Sequence, residues 1–269
     1  MARPLILLTN DDGVQSPGLA ASAAAADPLG DLLIVAPSEQ QSSTGRSMPR
    51  ANDGRIRETR VSWNGQSWPA YAANASPAQA VQHALLELAE RPPALAISGI
   101  NFGENLGFSI TISGTVGAAL EAASHGIPAL AVSQQVDWDL HFDFDNTVDF
   151  AASIHFTRLF ARRALSLSPL PDVSVLKIDV PDGATPETAW RVTQLEGRRY
   201  YRPIPPERKS FEEPGRVGYE ADPERQASHA NTDVAALLEG VVSVTPLSQD
   251  LTSRIQLTDL QTTLSDGLL

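Results

Sequence analysis

Short apolar runs separated by helix-like segments recur along the first two thirds of the chain. The runs predict strands at residues 5–9, 32–36, 94–98, 129–133 and 174–179. The segments between them predict helices at residues 17–26, 76–90, 114–125 and 146–167. Ser16-Pro17 and Ser76-Pro77 each pair a capping residue with a proline, which is typical of a helix start. Strands that alternate with helices indicate an α/β fold with a mostly parallel sheet.

The pattern changes after about residue 185. Residues 198–231 contain many prolines and charges and few apolar positions, which predicts an extended excursion or a hairpin rather than core. A short helix at 233–239 and a strand at 241–245 follow, and the polar residues from about Thr258 are expected to fray. We therefore expect one α/β domain over residues 1–269, with a core over 1–185 and a C-terminal extension over 186–269.

Composition and charge narrow the possible functions. The chain has 269 residues, of which 42% are hydrophobic, and no apolar run is long enough for a membrane helix. The first apolar run, Leu5–Thr9, leads directly into Asp11 without a signal-peptide pattern, so we expect a cytoplasmic protein that does not bind membranes. With no cysteine, a metal would need oxygen or imidazole ligands. The net charge of −12 opposes binding to nucleic-acid polymers.

Polar loops follow three of the predicted strands. Asn10-Asp11-Asp12-Gly13 follows the first strand, residues 37–47 follow the second, and residues 98–107 follow the third. Because parallel strands share one carboxyl edge, Asp11, Asp12, a serine of the second loop and Asn101 are expected to converge. Such an oxygen-only set suits Mg²⁺, Mn²⁺ or Ca²⁺. Each loop by itself is also compatible with an ordinary turn, but three such loops at three strand ends favour a shared site.

A second candidate feature is the helix start Ser113-Gly114-Thr115. A helix N-terminus with a glycine can bind phosphate through backbone N–H groups, although the same residues also make a good N-cap. Neither a P-loop nor a dinucleotide-binding glycine fingerprint is present, and the five histidines form no metal-type pair. His229 could donate a proton or be a solvated loop residue. Arg46 could bind an incoming phosphate or be a surface arginine.

Taken together, these motifs resemble the survival protein SurE family. The resemblance rests on the segments 7–13, 35–37 with Ser42, 98–107, 113–116 and 242–247. It implies a Rossmann-like three-layer α/β sandwich and a metal-dependent 5′/3′-nucleotidase acting on nucleoside monophosphates. It further implies one Mg²⁺ or Mn²⁺ per subunit and a C-terminal extension that builds homodimers or homotetramers.

The resemblance also assigns roles to individual residues. Spacing alone does not choose between Ser42 and Ser43, whereas the family pattern selects Ser42. The implied metal ligands are Asp11, Asp12, Ser42 and Asn101, of which Asp11, Asp12 and Asn101 are the expected catalytic residues. Ser113, Gly114 and Thr115 are implied to receive the phosphate.

Four segments depart from the usual family pattern. They are Ser38-Glu39, Gly45-Arg46-Ser47, 75–79 and 108–112. All four leave the implied metal set intact, so we expect them to affect substrate preference and rate rather than the type of reaction. Two alternatives to a nucleotidase are another metal hydrolase, such as a deacetylase, and a catalytically silent nucleotide-binding regulatory protein. The predicted tip loops contain none of the histidine ligands that a deacetylase normally needs.

Overall fold

A nine-stranded sheet with helices on both faces forms the body of the protein. The computed structural model describes residues 2–136, 148–168, 170–221 and 227–266. The strands are β1 Leu5–Thr9, β2 Asp31–Pro37, β3 Ile56–Trp63, β4 Gln66–Ala73, β5 Leu95–Phe102, β6 Ala129–Gln134, β7 Val175–Val180, β8 Trp190–Val192, β9 Tyr201–Ile204, β10 Gly218–Ala221 and β11 Val242–Leu247. The α-helices are α1 Pro17–Ala26, α2 Pro77–His83, α3 Gly114–Ser124, α4 Ala151–Ser166, α5 Asp233–Leu238 and α6 Leu257–Asp266.

The strand order confirms the prediction of a mostly parallel sheet. The order is β3-β4-β2-β1-β5-β6-β7-β11-β8, and β9 with β10 forms a separate antiparallel hairpin. Within the large sheet, β3 pairs with β4 and β11 with β7 in antiparallel fashion, while the other pairs are parallel. The β9–β10 hairpin lies within the 198–231 segment, where an extended excursion or hairpin was expected.

Two apolar clusters, one on each face of the sheet, make three layers. Alternate residues of β1 divide between them: Ile6 and Leu8 belong to one cluster and Leu7 to the other. The first cluster includes residues of α1 and α4, and the second includes residues of α2 and α3. A strand buried on both faces must be apolar throughout, which is why β1 is a continuous run. The predicted three-layer α/β architecture is confirmed.

Several elements differ from the sequence prediction. The β3–β4 hairpin and β8 were not predicted, because few of their side chains are fully buried. The available signal was Asn64-Gly65, whose positive φ angles of 47° and 82° make the tight turn. The helix expected over 146–167 begins at Ala151; residues 146 and 147 lie outside the described part of the chain, and 148–150 are not helical.

Two further predictions differ from the structure: the end of the helix over 76–90 and the fraying of the C-terminal residues. The helix predicted through residue 90 is α-helical only to His83 and continues as a π-helical turn over Ala84–Leu88. The prediction that the chain frays from Thr258 is wrong, since Leu257–Asp266 forms helix α6. Its leucines recur at helical spacing, a signal that the surrounding polar residues concealed. Among the described residues, no helix combines the length and apolar character needed to cross a bilayer.

Candidate active site

The candidate site lies at the topological switch point of the sheet, where the strand order runs outwards from β1 on both sides. β1 is central, with β2 parallel on one side and β5 parallel on the other, so their carboxyl ends share one edge of the sheet. Open α/β sheets bind ligands at this position. A pocket of about 730 Å³ opens there. It is lined by Asp11, Asp12, Gln40, Ser42, Ser43, Asn101, Phe102, Glu104, Asn105, Phe108, Ser109, Thr111, Ile112, Ser113, Arg199, Tyr201, Val217, Gly218 and Tyr219.

Two adjacent buried carboxylates form the base of this pocket. Asp11 and Asp12 are 5% and 4% exposed and follow β1 directly. The backbone N–H of Phe102 donates to Asp12 Oδ2 at 3.1 Å, and Gln40 Nε2 donates to Asp12 Oδ1 at 3.3 Å. Neighbours from β5 and from the loop after β2 thus hold Asp12 in place.

The start of helix α3 holds Asp11. Thr115 Oγ1 donates to Asp11 Oδ1 at 2.5 Å, and the backbone N–H groups of Gly114 and Thr115 also bind this carboxylate. A Cβ on Gly114 would lie 2.6 Å from Asp11 Cβ, so only glycine permits this approach. Ser113 acts as the N-cap, accepting from Val116 N at 3.1 Å, and it lines the pocket. Of the three residues expected to receive phosphate, Gly114 and Thr115 therefore contact Asp11 in this structure.

The loop after β2 reaches the same point. The backbone N–H of Gln41 donates to the Asp11 carbonyl at 2.7 Å, which fixes the loop against the tip of β1. Ser42 and Ser43 are both exposed and both line the pocket. The geometry thus leaves open, as the spacing did, which serine would face a metal.

Asn101 lies in a strand, whereas the sequence predicted a loop after Ser98. β5 continues to Phe102, with an irregularity in its pairing with β6 between Ser98 and Asn101. Asn101 Nδ2 donates to the Gly103 carbonyl at 2.7 Å, which leaves the amide oxygen as the atom that can bind a cation. The predicted convergence of Asp11, Asp12, Asn101 and the serine loop is observed.

The electrostatics of the aspartate pair suit a cation. Burial raises the pKa of Asp11, and the Thr115 hydroxyl opposes part of that rise. Burial, together with the charge of Asp11, raises the pKa of Asp12 well above its usual value. No described Lys, Arg or His side chain forms an ion pair with either aspartate. A divalent cation would remove this repulsion, so the residues present fit a hard metal.

The sequence did not predict a buried network of ion-paired side chains next to the pocket. Lys177 is fully buried and forms ion pairs with Asp179 and Asp233. Lys177 Nζ also donates to the Asn105 carbonyl at 2.8 Å, and the Asn105 N–H donates to Asp179 at 2.9 Å. The available signal was a lysine and an aspartate two residues apart inside an otherwise apolar strand.

Residues of the polar segment 198–231 also line the pocket. Arg199 lies two residues before β9, Tyr201 is the first residue of β9, and Gly218 and Tyr219 belong to β10. Tyr201 donates its hydroxyl to Glu104 Oε1 at 2.7 Å. No sequence signal linked the extension to the strand tips.

Comparison with known proteins identifies the family of this chain. The family model described as "Survival protein SurE" matches residues 6–202. The chain belongs to the SurE family. Proteins named 5′-nucleotidase SurE are similar over nearly the whole chain. The one from Thermococcus gammatolerans is 38% identical over 265 residues, covering 96% of this chain and 95% of that protein. The one from Methanocella arvoryzae is 40% identical over 276 residues, covering 97% and 98%.

A solved SurE structure has the same fold. The crystal structure of the SurE protein from Aquifex aeolicus superposes with a TM-score of 0.77 at 28% identity, covering 98% of this chain and 99% of that one. The predicted family and the predicted α/β fold are both confirmed.

The structure also bears on Arg46 and His229, two residues of this SurE chain whose roles the sequence left open. Arg46 Nε donates to Glu121 Oε2 at 2.6 Å, and Arg46 does not line the pocket. Arg46 is therefore tied to helix α3, and its position does not support a role in binding phosphate. His229 is exposed and also does not line the pocket. Most of the unusual segment 108–112 lies in a 3₁₀ turn over Gly107–Thr111. Phe108 and Ile112 line the pocket, which places this departure beside the candidate site.

Proposed function

We propose that this protein is a divalent-metal-dependent 5′-nucleotidase that also accepts 3′-phosphates, releasing phosphate from nucleoside monophosphates. The observation that carries the proposal is the buried Asp11–Asp12 pair at the topological switch point of the sheet, with no cationic side chain paired to it among the described residues. The names of the SurE relatives supply the substrate class. Two of the four proposed ligands lie on the tip of β1, which makes this strand the main anchor of the metal.

The proposed ligand atoms are carboxylate oxygens of Asp11 and Asp12, the hydroxyl of Ser42 and the amide oxygen of Asn101. All four residues line one pocket, and all four supply hard oxygen donors. When bound, Mg²⁺ or Mn²⁺ supplies Lewis-acid polarisation of a phosphoryl oxygen.

The chain itself contributes positioning and charge. Thr115 and the N–H groups at the start of α3 fix the orientation of Asp11. Ser113 lines the pocket next to Asp11 and is proposed to donate its hydroxyl to the phosphoryl group. Arg199 is the only basic side chain among the lining residues that the structure describes, so it offers the positive charge that an anionic substrate needs in a chain of net charge −12.

The experiment is phosphate release from AMP and 3′-AMP after EDTA treatment, with and without added Mn²⁺ or Mg²⁺. We expect activity only with metal, and Asp11→Asn should lower it by at least about a hundredfold, since it removes one charged ligand. The matched control, Asp250→Asn, alters an exposed aspartate and should retain full activity. Full EDTA-sensitive activity in Asp11→Asn would contradict the ligand assignment. Tight AMP binding without phosphate release would instead identify a silent nucleotide-binding protein.

We also propose that the extension over residues 186–269 joins copies of this chain into homodimers or homotetramers. The support is helix α6, in which Leu257 and Leu264 are 66% and 63% exposed. Leucines at helical spacing on a helix exposed along its length leave an apolar stripe that a second copy can cover.

A further inference from the structure

Glu104 is a buried carboxylate with one oxygen left unpaired. It is 8% exposed, three residues beyond Asn101, and it lines the pocket. Oε1 accepts from the Tyr201 hydroxyl at 2.7 Å, whereas Oε2 has no hydrogen-bond partner among the described residues. The same part of the structure shows no ion pair between Glu104 and Arg199, although both line the pocket.

An unpaired buried acceptor is unfavourable for stability. Leaving such a group unsatisfied costs free energy, and it costs more when the group is charged. The packing around Glu104 does not supply the second donor, but a ligand in the pocket could. A carboxylate accepts hydrogen bonds and donates none, so the matching ligand group is a hydroxyl or an amine.

The residues that line the pocket together with Glu104 narrow the chemical class of the ligand further. Phe108 is 57% exposed and Tyr219 is 42% exposed, and both line the same pocket as Tyr201. Exposed aromatic faces suit stacking with a planar base. The pocket therefore combines the proposed metal ligands around Asp11, which would bind the phosphate through the cation, with aromatic side chains that suit a nucleobase and a buried acceptor that suits the sugar.

We propose that Glu104 is a specificity-determining residue that accepts a hydrogen bond from the ribose 2′-hydroxyl of the substrate, with Tyr201 orienting it. This inference rests on the proposed nucleotidase function. It predicts a preference for ribonucleotides over 2′-deoxyribonucleotides, because the deoxy sugar leaves the buried oxygen unsatisfied. A polar site rejects an analogue that lacks its partner more strongly than an apolar site rejects an extra group.

The test compares kcat/KM for AMP and 2′-deoxy-AMP, with p-nitrophenyl phosphate as a substrate that has no ribose. We expect the wild-type protein to prefer AMP by about tenfold or more, as for a hydrogen bond to a charged group. Glu104→Gln can keep the bond from Tyr201 but presents a donor in place of the free acceptor. It should lower kcat/KM for AMP about tenfold and change the other two substrates less than about twofold.

Two further variants complete the design. Tyr201→Phe removes the donor to Oε1 and should weaken the preference for AMP to a lesser degree. Glu187→Gln alters an exposed glutamate outside the pocket and should change nothing. A wild-type protein that does not distinguish AMP from 2′-deoxy-AMP would overturn the proposal. Equal losses on all three substrates in Glu104→Gln would overturn it as well.

Binding measurements separate this inference from the proposed activity. If no phosphate is released from any substrate, the nucleotidase proposal fails, but titration calorimetry with AMP and 2′-deoxy-AMP still tests Glu104. A tenfold tighter Kd for AMP that disappears in Glu104→Gln would support ribose recognition. Equal Kd values for the two nucleotides in the wild-type protein would refute it.

Discussion

At the scale of single residues, the Thr115 hydroxyl binds the Asp11 carboxylate, whereas it was expected to bind phosphate. The side chain is fully buried and donates to Asp11 Oδ1, so it touches a proposed metal ligand instead of open space. A group that orients a ligating carboxylate affects metal affinity without binding the metal itself. The phosphate role predicted for Thr115 stays a prediction, while its contact with Asp11 is a feature of the structure.

Replacing Thr115 by valine preserves volume and removes only the hydroxyl. We expect Thr115→Val to weaken Mn²⁺ binding by about 10–100-fold, because Asp11 loses a partner that fixes its orientation. Titration calorimetry of the metal-free protein measures this. The matched control is Thr157→Val on helix α4, where the buried hydroxyl has no hydrogen-bond partner among the described residues. Unchanged metal affinity in Thr115→Val would show that this contact is only structural.

At the scale of elements, a buried charge cluster joins three parts of the fold. Lys177 and Asp179 lie on β7, and Asp233 lies at the start of α5. Asp233 also accepts from the Gly107 N–H at 2.9 Å, so the cluster holds both ends of the 105–107 segment that leads from β5 to the pocket. This network positions the wall of the pocket next to Asn105.

The cluster predicts how stability changes with pH. Burial raises the pKa of Asp179 to about 6, and Lys177 opposes part of that rise. Between pH 4 and 6 the folded protein holds a proton at Asp179 that the unfolded chain has lost. The free energy of unfolding should therefore fall across this window as pH rises, by on the order of 2 kcal/mol, and level off above it.

Urea unfolding at several pH values between 3.5 and 7 tests this expectation. Asp179→Asn cannot titrate, so the difference in unfolding free energy between wild type and variant should depend on pH across the window. Asp182→Asn, three residues further along and exposed, should leave the wild-type slope unchanged. A pH-independent difference between wild type and Asp179→Asn would contradict the raised pKa.

At the scale of the whole molecule, the extension contributes to the candidate site and also exposes an apolar stripe. Tyr201 and Tyr219 of the β9–β10 hairpin line the pocket, while Leu257, Leu260 and Leu264 of α6 are exposed. Apolar side chains at this spacing are typical of a helix that packs against a partner. The proposed oligomer would bury this stripe.

Light scattering at micromolar concentration tests the proposed oligomer. We expect a dimer or tetramer for the wild-type chain, and a shift towards monomer when Leu257, Leu260 and Leu264 are changed to serine, because apolar burial drives association. The control changes Thr258, Gln261 and Thr262 on the same helix to alanine and should keep the assembly. A wild-type monomer would refute the proposal that α6 joins subunits.

The sequence by itself determined the parts of the protein that depend on local chemistry. An apolar run such as Leu5–Thr9 must be buried on both faces, so it predicted a central parallel strand and the position of Asp11 and Asp12 at its end. Ser16 and Ser76 predicted helix starts, because a capping side chain acts on its own next few residues. Strand ends that share an edge were enough to predict that Asn101 would lie near the aspartates.

Only the tertiary structure decided the contacts between residues far apart in the chain. The bonds from Thr115 to Asp11 and from Tyr201 to Glu104 span about a hundred residues each, and no local pattern encodes such a pairing. The buried Lys177 network likewise depends on β7 and α5 meeting beneath the pocket. The physical reason is that hydrogen bonds and charge pairs need a specific geometry, which only the packed chain supplies.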